Sequence, residues 1–346
     1  MIQLKNLTAD HLHRQFASLG VTPAIARRIQ AAVIRNDDWP APASGGVSAE
    51  LLRQLRGQAM IPRLALVHHV TSPADGFAKY LFRGEGGDRF EAVRIPILHR
   101  ADDLKYIVCV SSQAGCRLGC AFCATGRMGF TRNLATWEIV DQVMQIRADS
   151  PHPVRGVVFM GMGEPLLNYD AVITAARILS EPCGMAIAAK SITIGTAGIL
   201  PGIRRFTREG HPYRLVVSLT SAYAEIRTAL MPVERTNPTD ELMRALREYH
   251  TATGQRVTLA WVMIAGVNTR EEDARQLAGL IQGLPVKLDL IDVNDPTGRF
   301  QPPAPEELNA FRDALRQHCG IPVVRRYSGG ADIAAACGML AVNTKE

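Results

Sequence analysis

No apolar run in this 346-residue chain reaches the roughly 18 residues that a membrane-crossing helix requires. The first residues, Met1-Ile-Gln-Leu-Lys5, lack the basic-then-apolar pattern of a secretory signal. Together these absences lead us to expect a cytoplasmic protein with no membrane partner. A disulfide framework is missing as well, because the seven cysteines are odd in number and three of them crowd into one short segment. A reducing compartment suits such thiols. Excess charge of one sign is slight, +6 with a pI of about 9.0, which admits a polyanionic partner such as RNA without requiring one. Composition is otherwise ordinary, 47% hydrophobic and 21% charged, in a chain long enough for a large core and two domains.

What the chain does have is Cys116-Arg-Leu-Gly-Cys120-Ala-Phe-Cys123, three cysteines in a CxxxCxxC spacing. A zinc site pairs CxxC with a second Cys or His pair, and no second pair follows Cys123. Burial of three free thiols is the other plain reading, since cysteine is among the most buried residue types. Gly115, Arg117 and Gly119 break any apolar periodicity, so the segment reads as a loop wrapped around something. Three thiolates leave one iron of a four-iron cluster open to a small chelating ligand, which points to chemistry at that iron. The triplet is similar to that of the radical S-adenosylmethionine (SAM) enzymes.

Residues 1–62 read as a helical module. Thr8 caps a helix running to Phe16, Pro23 opens one from Ala24 to Arg35, and Ser48 starts a third through Leu55. Arg27, Arg28, Arg35, Arg53 and Arg56 on these helices form either a solvated face or an RNA-docking surface. Residues 63–100 change to short strands separated by Gly-rich turns, the pattern of a small antiparallel sheet. From 101 to 346, strand-like runs beginning at Ile107, Gly156, Ser191, Leu215, Val257, Lys287 and Val323 alternate with helical stretches over 136–148, 170–179, 238–251, 270–280 and 305–318. A repeated βα order requires parallel strands with right-handed crossovers, so the expected fold class is α/β, a full or partial barrel. Active sites of such barrels lie at the C-terminal ends of the strands, and the cysteine triplet directly follows the first.

A second motif, Phe159-Met-Gly-Met-Gly-Glu-Pro165, closes a strand with a glycine-rich turn. Its glycines let backbone approach a ligand, and its carboxylate can receive an ammonium group. Beside these motifs stand Ser111-Ser-Gln-Ala-Gly115, Gly129-Phe-Thr-Arg-Asn-Leu134 and Ala334-Ala-Ala-Cys-Gly-Met-Leu340. On these residues the chain resembles the RlmN/Cfr family of radical SAM RNA methyltransferases, from about Phe90 to Leu340. The resemblance implies a partial (β/α) radical SAM barrel with a [4Fe-4S] cluster on Cys116, Cys120 and Cys123. It also implies SAM contacts at Gly163, Glu164, Ser218, Leu219, Thr220 and Asn294, although Asn294 reads equally as a turn residue.

The implied reaction is methylation of adenosine in RNA at C2, with 23S ribosomal RNA foremost and transfer RNA beside it. Methylation at C8, or of another substrate, is the alternative. Neither carbon is nucleophilic enough for polar transfer from SAM. In the family a C-terminal cysteine, here Cys337, carries the methyl group; a radical derived from a second SAM activates it, and the resulting protein–RNA crosslink is resolved by Cys109 through a disulfide with Cys337. Glu91 corresponds to the family's candidate base, though from its position alone it reads as a solvent-facing strand residue. A low-potential electron donor such as flavodoxin or ferredoxin is implied too. Gly195, Thr220 and Asp295 depart from the family's pattern, and Cys183 and Cys319 match no family role. The reading from a different class, a non-catalytic iron–sulfur RNA-binding protein, leaves Cys109 and Cys337 without a purpose.

Overall fold

The computed structural model describes residues 1–43, 45–98 and 103–342. The expected junction between small sheet and barrel, at residues 100 and 101, lies outside the described residues, as does the end of the chain after residue 342. Ten strands form one sheet whose spatial order follows the chain. They are β1 (Ala65–Thr71), β2 (Ala78–Arg83), β3 (Arg89–Leu98), β4 (Leu104–Cys109), β5 (Val154–Phe159), β6 (Ile192–Thr196), β7 (Arg214–Ser218), β8 (Val257–Met263), β9 (Val286–Asp292) and β10 (Val323–Arg326). Pairing is antiparallel from β1 to β4 and parallel from β4 to β10. The parallel part is open, with β10 at one edge, so the architecture is a partial barrel whose sheet continues directly into the antiparallel strands.

Strands buried on both faces need apolar residues at successive positions. Leu215, Val216 and Val217 of β7 are all buried, and so are Leu259, Ala260 and Trp261 of β8. The crossover helices Thr136–Asp149, Tyr169–Ser180, Thr239–Thr253, Glu271–Ile281 and Pro305–Cys319 lie within two residues of their expected bounds. A further crossover helix, Leu200–Glu209, is missing from the expected set and carries Pro201 and Gly202 in its first turn. Proline in a first turn loses no hydrogen bond, and Gly202 is where Leu166 packs, since a Cβ there would come within 2.7 Å of the Leu166 Cβ.

The N-terminal helices run over Ala9–Gln15, Pro23–Asn36 and Ala49–Gln58, with Thr8, Thr22 and Ser48 each accepting a backbone N–H at the first turn. One feature was not legible: Ile2–Gln3 pairs in parallel with Ala59–Met60 and closes the module on itself. The module is fastened to the barrel by a buried ion. Lys5 Nζ, with no side-chain exposure, lies 2.5 Å from Asp141 Oδ1 and 2.7 Å from Asp37 Oδ1. Asp141 Oδ2 accepts the Leu64 N–H at 2.7 Å, and Asn6 caps the barrel helix by accepting the Trp137 N–H at 2.8 Å. Of the module's arginines, Arg35 is engaged by the carbonyls of Pro182 and Gly184, and Arg53 pairs with Glu50. Among the described residues no helix is long and apolar enough to cross a membrane.

Candidate active site

The C-terminal ends of the parallel strands carry most of the residues singled out from sequence. Cys109 ends β4, and the loop that follows bends back through a short antiparallel pair, Gln113–Gly115 with Phe130–Asn133. Gly115 sits at φ +75°, and a Cβ there would meet the Gly129 carbonyl at 2.1 Å, so only glycine allows this approach. The Cys116 N–H donates to that same carbonyl at 2.7 Å, while Cys123 begins the short helix Ala124–Met128. Among the described residues no three metal-ligating side chains are arranged to hold a metal ion as they stand. The thiols are nevertheless close enough to act on one another: burial pushes Cys116 up to about 11 and Cys120 higher still, and neighbouring thiols add to both shifts. Three soft sulfur donors on one loop, without a second pair, fit an iron–sulfur cluster, whose iron would replace the protons these buried thiols otherwise retain.

The glycine-rich turn after β5 is fastened to the segment before the cysteines. Ser111 Oγ accepts the Met162 N–H at 2.8 Å, the Met162 carbonyl accepts from Ser112 and Gln113, and Gln113 Oε1 accepts the Glu164 N–H at 2.8 Å. Gly163 is at φ +100°, with a Cβ excluded by the Gln113 side chain at 2.5 Å. Glu164 is buried and faces the cysteine loop closely enough to raise the Cys116 and Cys120 thiols. Its oxygens accept the N–H groups of Leu166 (3.0 Å) and Ala197 (2.8 Å). Burial still dominates these bonds and pushes Glu164 up to about 7. A buried acid held at that point ionises only partly near neutral pH, and an arriving cation would complete its charge.

Ser218, Leu219 and Thr220 leave the end of β7. Thr220 is fully buried at φ +62°, a costly conformation for a β-branched residue, and its Oγ1 has no hydrogen-bond partner among the described residues. Asn268 holds the strained turn, donating to the Thr220 carbonyl at 2.7 Å and the Val262 carbonyl at 2.8 Å while accepting the Ile264 N–H at 2.8 Å. A buried hydroxyl without a partner, at the mouth of the barrel, is what a polar ligand would complete.

The C-terminal loop returns to the same place. The Gly338 carbonyl accepts the Ala124 N–H at 2.8 Å, and the Leu340 carbonyl accepts the Thr125 hydroxyl at 2.6 Å. Asn294, just past β9, donates through Nδ2 to the Cys337 carbonyl at 3.3 Å and to Ser328 Oγ at 2.8 Å. Cys337 is exposed, yet the protein around it pushes its thiol up to about 11, with Cys123 adding to the rise and Arg326 opposing it. It thus faces a crowded, solvent-reached opening. Cys109 is buried and pushed up to about 12, the Cys337 thiol contributing. All seven cysteines are free, Cys183 bonding to Gln30 and Cys319 to the Ala274 carbonyl.

Glu91 on β3 is not the solvent-facing residue its position suggested but is 4% exposed. Its Oε1 lies 3.2 Å from Lys79 Nζ, and its Oε2 accepts the Ala341 N–H at 3.0 Å. Asp295, one of the departures from the family's pattern, pairs at 3.1 Å with Arg127 of the short helix that follows Cys123.

Sequence reasoning missed Arg227, on the short helix Ala224–Leu230, because an arginine in that setting reads as a solvated helix face. It is fully buried, pairs with Glu234, and donates to the carbonyls of Ala197 (2.7 Å) and Leu219 (3.1 Å), joining the ends of β6 and β7. Glu234 in turn accepts the Thr239 N–H at 2.8 Å and starts the next helix. Arg227→Ala leaves Glu234 buried and unpaired, and we expect a loss of about 3–5 kcal/mol in chemical denaturation. A change below ~1 kcal/mol would contradict this bridging role.

Comparison with known proteins agrees with this geometry. The model of the radical SAM superfamily matches residues 110–278. A Myxococcus xanthus strain DK1622 protein named "Probable RNA methyltransferase" is 50% identical over 98% of this chain and 94% of its own length. The dual-specificity RNA methyltransferase RlmN of Syntrophobacter fumaroxidans is 45% identical over 77% of each chain. The crystal structure of a radical SAM methyltransferase from Sphaerobacter thermophilus superimposes with a TM-score of 0.87 at 38% identity, covering 98% of this chain and 99% of that one. Likeness of this extent, over a chain whose cysteine loop, glycine-rich turn and C-terminal loop meet at one barrel mouth, means that the protein belongs to the RlmN/Cfr family of radical SAM RNA methyltransferases, which work with a [4Fe-4S] cluster and SAM.

Proposed function

We propose that this enzyme methylates C2 of adenosine, in large-subunit ribosomal RNA and in transfer RNA, by way of a methyl group carried on Cys337. The observation that supports this most is that Cys337 sits near Cys109 and Cys123, on a loop that Asn294, Ala124, Thr125 and Glu91 pin from several sides. Cys116, Cys120 and Cys123 would hold the cluster. Gly163, Glu164, Ser218, Leu219, Thr220 and Asn294 would line the SAM site, Glu164 receiving the methionyl ammonium and Thr220 Oγ1 a polar group now lacking. When bound, the cluster and SAM supply a carbon radical, with the electron drawn from a flavodoxin or ferredoxin.

Cys337 would take on sulfur the methyl group of one SAM, releasing S-adenosylhomocysteine and the thiol proton, which burial holds more tightly and Arg326 only partly loosens. Glu91, whose oxygens meet Lys79 and the Ala341 N–H, would accept a proton from the RNA adduct. Cys109 then attacks the Cys337 sulfur: the S–S bond forms, the C–S bond breaks, and the carbon leaves with the electron pair and takes up a proton. An external dithiol would then reduce this disulfide by exchange, itself becoming the oxidised partner, before the next cycle. Residues 1–62, with exposed Arg27 and Arg28, would make a second contact with RNA. Methylation at C8 or of another substrate is the second reading, favoured by the departures at Gly195, Thr220 and Asp295, which border this site.

Nucleoside mass spectrometry of ribosomal and transfer RNA from a strain lacking the protein tests the assignment. Loss of 2-methyladenosine is the expected result, loss of 8-methyladenosine moves the target carbon, and no change in either RNA overturns the reading.

Glu164 gives a pH signature. Below about pH 7 its carboxyl is protonated and offers no charge to an ammonium group, so SAM affinity should fall about tenfold per unit as pH drops. Glu164→Gln should bind tenfold or more weakly at pH 8 and lose that dependence. Parallel calorimetric curves for the two proteins between pH 6 and 8 would contradict this.

A further inference from the structure

Tyr327 follows β10 with 77% of its surface exposed. A single exposed aromatic is ordinarily just surface. This one is held. Its hydroxyl donates to Asp75 Oδ2 at 3.2 Å, and its ring sits edge-on to Phe77 with centroids 6.1 Å apart. The same Asp75 oxygen accepts the Gly330 N–H at 2.7 Å. Gly329 lies where these groups meet, and a Cβ there would approach Asp75, Phe77 and Tyr327 to 2.5–2.6 Å. The hydroxyl is therefore engaged and one side of the ring meets Phe77, while most of the residue stays open to solvent.

Its neighbourhood is that of the reacting cysteine. Asn294 Nδ2 touches both Ser328, the residue after Tyr327, and the carbonyl of Cys337. Arg325 and Arg326 on β10 are exposed but paired, Arg325 with Asp292 and Arg326 with Asp289, which Lys287 also meets. Asp332 lies close as well, bonded to Ser72. With carboxylates on several sides, this surface attracts phosphate only weakly. The open aromatic face is what it offers.

We propose that Tyr327 is a stacking platform for an unpaired nucleotide beside the target adenosine, a role that rests on the RNA-methylating reading above. A base attacked at a ring carbon has to leave its stack, and its neighbour is then left with an uncovered face. A rigid tyrosine next to the methyl-carrying residue replaces the lost stacking partner at little entropic cost, because the ring is already fixed.

The test is steady-state methylation of ribosomal RNA purified from a strain lacking the protein. Tyr327→Ala should raise KM for RNA roughly tenfold with kcat within about twofold. Methylation of Cys337 from SAM without RNA should be unchanged, and Tyr327→Trp should restore KM. A Tyr327→Ala protein whose KM stays within about twofold of wild type overturns the platform, as does Tyr327→Trp performing no better than alanine at equal thermal stability. Slower reduction by flavodoxin with unaltered KM for RNA also overturns it, making the ring a protein contact. Wild-type enzyme that leaves this RNA unmodified removes the RNA reading itself, and the platform with it.

Discussion

The carbonyls of Cys337, Gly338 and Leu340 and the N–H of Ala341 each bond to a different part of the barrel mouth: Asn294 after β9, the N–H of Ala124, the hydroxyl of Thr125, and Glu91 on β3. Each bond alone is worth about 1 kcal/mol. Their joint effect is positional. A segment outside the sheet would ordinarily be loose, and this one is instead seated on the loop that carries Cys116, Cys120 and Cys123. The proposed exchange between Cys109 and Cys337 would depend on that seating, because thiol exchange needs the two sulfurs within reach.

The same mouth concentrates features that cost stability. Glu164 is buried with its acidity pushed to about 7, Thr220 is held at positive φ with an orphan hydroxyl, and Arg227 is fully buried. Each persists because surrounding groups over-determine it: Leu166 and Ala197 hold Glu164, Asn268 holds the Thr220 turn, and Glu234 neutralises Arg227. Strain gathered at one place and offset by neighbours is expected where a ligand binds, and it is unexplained by packing alone.

Local chemistry was legible from sequence. The cysteine spacing, the caps at Thr8 and Ser48, and the apolar runs of the parallel strands are each decided within a few residues of themselves. Contacts between distant segments were not. Nothing local marks Glu91 as the partner of Ala341, Arg127 as the partner of Asp295, or Arg227 as a buried bridge between strand ends. Glu91 alternates correctly for a strand, yet one of its partners is a backbone N–H on a loop 250 residues later. The roles of Cys109 and Cys337 came from family resemblance, because a lone cysteine carries no pattern that sets it apart from Cys183 or Cys319.

The account stands on two thiols with different tasks at one opening. Incubating the Cys109→Ala enzyme with SAM, a reductant and substrate RNA, then separating products by denaturing electrophoresis, tests this most directly. The account predicts RNA covalently attached through Cys337, identified by peptide mass spectrometry, because no thiolate remains to break the C–S bond. A Cys109→Ala enzyme that turns over normally and holds no RNA would contradict it.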